Sequence, residues 1–207
     1  MALLHRAELR PSKLDLLTRW LPTRGWFAGD AGTAVTRVAA YRFDDPAGEV
    51  GVETMLVRAG EGPVLQVPLT YRGAPLAGAD DRLLGTMEHS VLGRRWVYDA
   101  VGDPVYQRAL AAAVLAGADQ AQEYFEVDGE RQVRPPSMTL TPGRYAGTAD
   151  GVPAPVVDGD PTLIRTGPVA LALVRRPVAG VGAGPGRLTG AWDGQSAPVL
   201  LAQVVTD

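Results

Sequence analysis

The sequence offers few side chains with the makings of a catalyst: two histidines (His5, His89), four serines (Ser12, Ser90, Ser137, Ser196) and no cysteine. Acyl transfer needs a base held against a hydroxyl, and a Gly-x-Ser-x-Gly elbow is the usual way of presenting one. No such elbow occurs. His89 adjoins Ser90, yet sequence neighbours rarely face each other, so a structural or surface histidine is expected. Phosphoryl transfer needs a phosphate-cradling loop, a lysine on a strand and an Asp/Asn pair for magnesium. The chain has nineteen arginines, one lysine (Lys13) and no asparagine. Arginine's planar fork is a poor substitute for a compact ammonium. The glycine run Gly180–Gly186 fits neither dinucleotide nor phosphate-loop spacing and reads as a flexible hairpin. Asp44-Asp45 and Asp80-Asp81 sit among turn residues, where Asp accepts local N–H groups. Asp158-Gly159-Asp160 lacks the closing glutamate of a calcium loop and reads as a turn. No catalytic residue, metal or cofactor is therefore assigned.

The aromatic residues are more informative. Trp20, Trp26 and Phe27 gather at the exit of the first helix, and Trp96 and Tyr98 flank a strand-like segment before Asp99. With Arg24 and Arg95 they form a candidate set for stacking on a sugar or anchoring a protein partner. The competing reading is that they fill the gap between helix and sheet.

The elements that must position them follow from local signals. Pro11–Leu21 has apolar residues at helical spacing with Ser12 and Asp15 at capping-box spacing, and Pro22 stops it. Val35–Phe43, Val50–Val57 and Val64–Tyr71 read as three strands joined by short turns, hence an antiparallel meander. In the third, Leu65, Val67, Leu69 and Tyr71 alternate with Gln66, Pro68 and Thr70, which predicts one face in water. Asp103-Pro104 followed by Tyr106, Leu110, Val114 and then Gly117 is a capped helix. Beyond it, Glu123–Val127, Leu163–Thr166, Val169–Val174 and Pro198–Val205 predict a β-rich second half. Arg144–Asp160 and Val178–Gly190 read as loops or mobile hairpins. A seam near Gly117–Asp119 divides 1–117 from 118–207.

The bulk properties set bounds. A chain of 207 residues with net charge −3 and 46% hydrophobic residues is ordinary for a globular protein,. With no basic stripe, nucleic acid and anionic membranes are not expected partners. Neither a signal peptide nor a membrane-spanning run is apparent, and the lack of cysteine suits reducing cytoplasm, so a cytoplasmic location is expected.

The run Trp20-Leu21-Pro22-Thr23-Arg24-Gly25-Trp26-Phe27-Ala28-Gly29 resembles the Trp-Leu-Pro…Arg-Trp-Phe-Ala-Gly opening of the maltokinase N-terminal cap domain, with Gly25 inserted and Asp30 where a lysine is common. Gln66-Val67-Pro68-Leu69-Thr70-Tyr71, Leu84-Gly85-Thr86, Trp96-Val97-Tyr98-Asp99-Ala100 and Asp103-Pro104-Val105-Tyr106 follow in the family's order, so that the likeness covers about residues 12 to 117. It implies an α+β fold: a curved antiparallel sheet with flanking helices, followed by a second β-rich subdomain resembling a degenerate kinase intermediate subdomain. It also implies a setting in α-glucan, trehalose or amino-sugar metabolism. In that family the cap precedes a nucleotide-holding β-rich subdomain and a helical lobe with the catalytic groups, and this chain ends before such a lobe. Ala170–Arg176 is similar to the family's apolar strand ending in Arg-Arg, with Ala172 where the nucleotide-contacting lysine would fall.

The expectation is a non-catalytic cap-like module that binds a carbohydrate or a sugar-metabolising enzyme, with self-association left open. The alternative is the N-terminal lobe of a split sugar kinase completed by another chain. A third reading, a small-molecule enzyme, requires a deep polar pocket with convergent carboxylates.

Overall fold

The computed structural model describes residues 2–3, 7–127, 129–149 and 152–206; His5 lies outside them. After two short strands, β1 (Ala2–Leu3) and β2 (Leu9–Arg10), comes helix α1 (Lys13–Trp20). Its start is fixed as the sequence indicates: Ser12 accepts from the Asp15 N–H while the Asp15 carboxylate accepts from the Ser12 N–H,. Leu16, Leu17 and Trp20 form its buried face. Pro22, lacking an N–H, ends the α-helical ladder in a 3-10 turn at Leu21–Thr23,.

The strands β3 (Val35–Phe43), β4 (Gly51–Ala59) and β5 (Val64–Arg72) are the expected antiparallel meander. The hairpin β6 (Leu83–His89) and β7 (Gly93–Asp99) then joins the β5 edge through β7, giving the order β2-β6-β7-β5-β4-β3. At Gly85, φ is +145° and an added Cβ would lie 3.0 Å from Leu16, so glycine there admits both the bend and the close seat of α1,. Helix α2 (Pro104–Leu115) starts on Asp103, whose carboxylate accepts from the Val105 N–H. Arg72 grips the same carboxylate with two 2.7 Å hydrogen bonds, tying the end of β5 to the start of α2.

A small sheet of β8 (Glu123–Val127), β9 (Glu130–Val133) and β1 follows, with β1 parallel to β8. The remaining strands are β10 (Met138–Thr141), β11 (Val156–Val157), β12 (Thr162–Arg165), β13 (Ala170–Leu173), β14 (Arg187–Trp192) and β15 (Gln195–Val205). They form a second antiparallel six-stranded sheet in the order β10-β14-β15-β13-β12-β11. The architecture is α+β, with a curled antiparallel first sheet. β11 falls within the expected loop 144–160, and β14 replaces the end of the expected loop 178–190 with a central strand.

One prediction is overturned. β5 has no face in water: Leu65, Val67 and Leu69 pack under α1, while Gln66 and Thr70 on the other face are also buried. The reason is the second sheet. With α2 it packs on that face of the first sheet, and one core runs from Tyr41, Val52 and Leu56 through Tyr106 and Leu110 to Leu171, Leu188 and Leu201. The core is thus continuous across the seam at 117–119.

Gln66 makes that packing tolerable for a polar residue. Its Nε2 donates to the carbonyls of Val174 (2.8 Å) and Leu201 (2.9 Å), its Oε1 accepts from the Tyr41 hydroxyl (3.1 Å), and its backbone N–H donates to the Arg175 carbonyl (2.8 Å). All the groups it serves are inside, where an unmet donor or acceptor is expensive. Replacing it by an isosteric apolar residue, Gln66→Met, strands the Val174 carbonyl and the Tyr41 phenol and leaves Leu201 only the Val174 N–H; a loss of about 2–4 kcal/mol in urea unfolding is expected, and unchanged stability would contradict the bracket role.

Candidate functional site

The seven residues nominated from sequence do not converge. Trp20 and Trp26 meet edge to face, with centroids 6.0 Å apart, and both are buried between α1 and the first sheet. The Arg24 guanidinium lies 5.0 Å from the Trp20 ring, and Phe27 packs half-buried on the same cluster. Arg95, Trp96 and Tyr98 share β7, but alternation sends Trp96 and Tyr98 to the face opposite Arg95,. Tyr98 is buried and its hydroxyl accepts from the Leu76 N–H.

Trp26 has a neighbour that sequence reasoning did not assign to it. Arg175, just after β13, is fully buried and stacks 4.7 Å from the Trp26 ring centroid. Its Nη atoms reach both oxygens of buried Asp99 (3.2 and 2.8 Å), and its Nε donates to Thr162 (2.9 Å). Asp160 accepts from the backbone N–H groups of Arg175 and Arg176 and from the Arg176 Nε, while Asp158 pairs with Arg82 at 3.0 Å. Asp158-Gly159-Asp160 is therefore more than a turn: Asp158 ties the second sheet to the first through Arg82, while Asp160 fixes the backbone that carries Arg175. The crevice beside Trp26, lined also by Asp158, Asp160 and Arg176, is walled by groups already engaged with one another. Among the described residues no three His, Asp or Glu side chains gather as a metal site. His89 Nδ1 accepts from the N–H groups of Val91 and Leu92, and Ser90 Oγ accepts from the Glu8 N–H, so this adjacency stabilises a turn.

The larger concavity, about 510 Å³, opens on the α1 side of the first sheet beyond the first turn of the helix. Beneath three of its lining residues, Lys13, Arg42 and Tyr71, Glu53 of β4 is buried and surrounded by donors. Lys13 Nζ donates to its Oε2, Tyr71 donates to the same oxygen at 2.8 Å, and Arg42 approaches to 3.7 Å. Burial alone would raise the Glu53 pKa; the Lys13 and Arg42 charges, with hydrogen bonds from Lys13 and Tyr71, outweigh it and bring it to about 2,. Burial, then the charge and hydrogen bond of Glu53, push Tyr71 well above the usual phenol value, so it remains a donor. The chain's single lysine is thus committed to a carboxylate of the first sheet. Arg95 lines the same cleft, and the Nε atoms of both Arg42 and Arg95 are buried without a hydrogen-bond partner.

Of this floor only Arg95 was nominated from sequence. The available signal was Glu53 itself, a charged residue among apolar and β-branched ones in the predicted strand Val50–Val57, which calls for a cationic partner.

A curled antiparallel sheet is thus crossed by a short helix whose Trp-rich exit packs back onto it. Residues 20–103 match the family described as the maltokinase N-terminal cap domain, from the last residue of α1 to the N-cap of α2. The matched stretch comprises β3 to β7, and the second sheet lies outside it. No curated protein matches the chain. No helix among the described residues is long and apolar enough to cross a membrane.

The Glu53 cluster has a pH signature. Because its folded pKa is depressed from 4.5 to about 2, the stabilisation is fully present above about pH 4.5 and is lost as pH falls through about 2,. In acid titrations followed by circular dichroism, Glu53→Gln should flatten the stability loss between those values relative to the parent protein. An identical acid limb in both would contradict the assignment.

Proposed function

We propose that the protein is a non-catalytic cap-like binding module of carbohydrate metabolism, recognising a sugar or a sugar-metabolising enzyme without turning over ATP. The observation that carries this reading is the state of β13. At the position where the resemblance puts a nucleotide-contacting lysine stands Ala172, 1% exposed and paired between Leu163 and Gln203. The next cation along, Arg175, is turned inward onto Asp99 and Trp26. A triphosphate needs cations that strengthen their hold as charge develops, and here the nearest one is consumed by the join between the sheets.

A specific observation favours a second reading, the N-terminal lobe of a split sugar kinase. A six-stranded antiparallel sheet follows the cap in the order that the resemblance gives the nucleotide-holding subdomain. Both readings predict no ATP turnover by this chain alone; only the second predicts turnover once a separate chain carrying the catalytic lobe is added. Incubated with Mg·ATP and maltose, trehalose or glucosamine, the protein should release no ADP above background. Calorimetry with the same sugars and pull-down with purified glucan enzymes should give at least one association. ATP-dependent phosphorylation of a sugar by this chain would overturn the proposal, as would failure to associate with every sugar and enzyme offered.

A further inference from the structure

The cleft over Glu53 is lined by Lys13, Arg42 and Arg95 against Asp44, Asp45 and Glu49 at its rim. Lys13 and Glu53 satisfy one another, and Arg42 has only a 3.7 Å approach to the same carboxylate. Arg95 makes no ion pair among the described residues; its one hydrogen bond goes to the Leu92 carbonyl at 2.7 Å. Asp45 on the rim is occupied by the N–H groups of Ala47, Glu49 and Val50. The floor therefore holds two guanidinium groups with buried, unanswered Nε donors. Leaving such donors unmet costs free energy unless an acceptor arrives.

Both guanidinium groups rest on glycine. A Cβ at Gly51 would come 3.3 Å from Arg42 Nη2, and a Cβ at Gly73 would come 2.9 Å from Arg95 Nη1. Gly51 opens β4 opposite Tyr71 and Gly73 follows directly on the end of β5, so both guanidinium groups lie over the same corner of the first sheet. Three terminal oxygens can meet donors converging from several directions, as arginines on β3 and β7 do; a planar carboxylate offers only two.

We propose that this cleft binds a phosphate monoester with a hydroxylated body, the phosphate held between Arg42 and Arg95. The concavity of about 510 Å³ leaves room for the body beyond the anion,. Exposed Glu49 at the rim offers acceptors to hydroxyl groups, while Leu9 supplies an apolar wall. The acidic rim also sets an upper limit on ligand charge: a triphosphate or polynucleotide passing Glu49 and Asp45 is repelled, whereas a single monoester reaches the floor.

This inference deepens the reading of the chain as a binding module and rests on it. The test is calorimetric titration of the purified protein with glucose 6-phosphate, inorganic phosphate, glucose and Mg·ATP. Glucose 6-phosphate should bind about tenfold or more tightly than inorganic phosphate, and glucose or Mg·ATP far more weakly. Arg95→Gln and Arg42→Gln should each weaken glucose 6-phosphate about tenfold. Gly73→Ala, which leaves every charge in place and only displaces Arg95, should weaken it by a smaller factor, with thermal melts confirming that the variants are folded. Equal affinity in the parent and both arginine variants would overturn the proposal, as would no binding of glucose 6-phosphate. The latter result without ATP turnover removes this inference alone; ATP-dependent sugar phosphorylation removes the broader reading whatever the phosphate ester does.

Discussion

The structure depends on a polar bracket in an apolar seam. Gln66 spends its whole hydrogen-bonding capacity on groups from three distant parts of the chain, Tyr41, the 174–175 segment and Leu201. Arg175, one residue from a carbonyl that Gln66 holds, turns its guanidinium to Asp99 at the end of β7. Neither interaction is a cheap source of stability, since buried polar groups give up hydration to form them. Their effect is on register: a slide of one sheet over the other would strand the amide, the guanidinium and Asp99 together. The bracket therefore selects one relative placement of two sheets that apolar packing alone would permit in several.

The same bracket explains why the first sheet is covered on both faces yet retains an open concavity. The second sheet and α2 cover most of one face, short of the β6–β7 hairpin tip, where the Glu88–Arg94 pair is exposed. Helix α1, with only eight residues, covers part of the other, and its first turn, marked by Lys13, is where coverage stops. Beyond that limit the sheet needs polar side chains, and Arg42, Tyr71 and Arg95 supply them over buried Glu53. The cleft is a product of a helix shorter than the sheet it crosses.

Features written locally were legible in the sequence. The Ser12/Asp15 box, the Asp103-Pro104 start and the β3–β5 meander follow from neighbouring residues and are present as read. What failed was nonlocal. Gln66 and Thr70 look solvent-facing because nothing within fifty residues reveals the sheet that covers them. β14 was hidden because Gly190 reads as a breaker, whereas a Cβ there would lie 2.7 Å from Met138 and 2.9 Å from Leu201, so the glycine is required by close packing. At the site, Trp20 and Trp26 stood out as aromatics but serve the interior, while Glu53 and Lys13, forty residues apart, announce each other only once β4 passes beneath α1. The matched family accounts for the first sheet; the second is known here only from its own strands.

The double use of Asp103 has an electrical consequence. The exposed N–H groups at the start of a helix ordinarily draw anions. At α2 that role is already filled from within, and Arg72 neutralises the carboxylate that fills it, the hydrogen bond chiefly raising the arginine's own pKa. The longest helix of the molecule is in this way made electrically silent toward visitors, and attraction for a negative guest passes from peptide dipoles to side chains on the sheet.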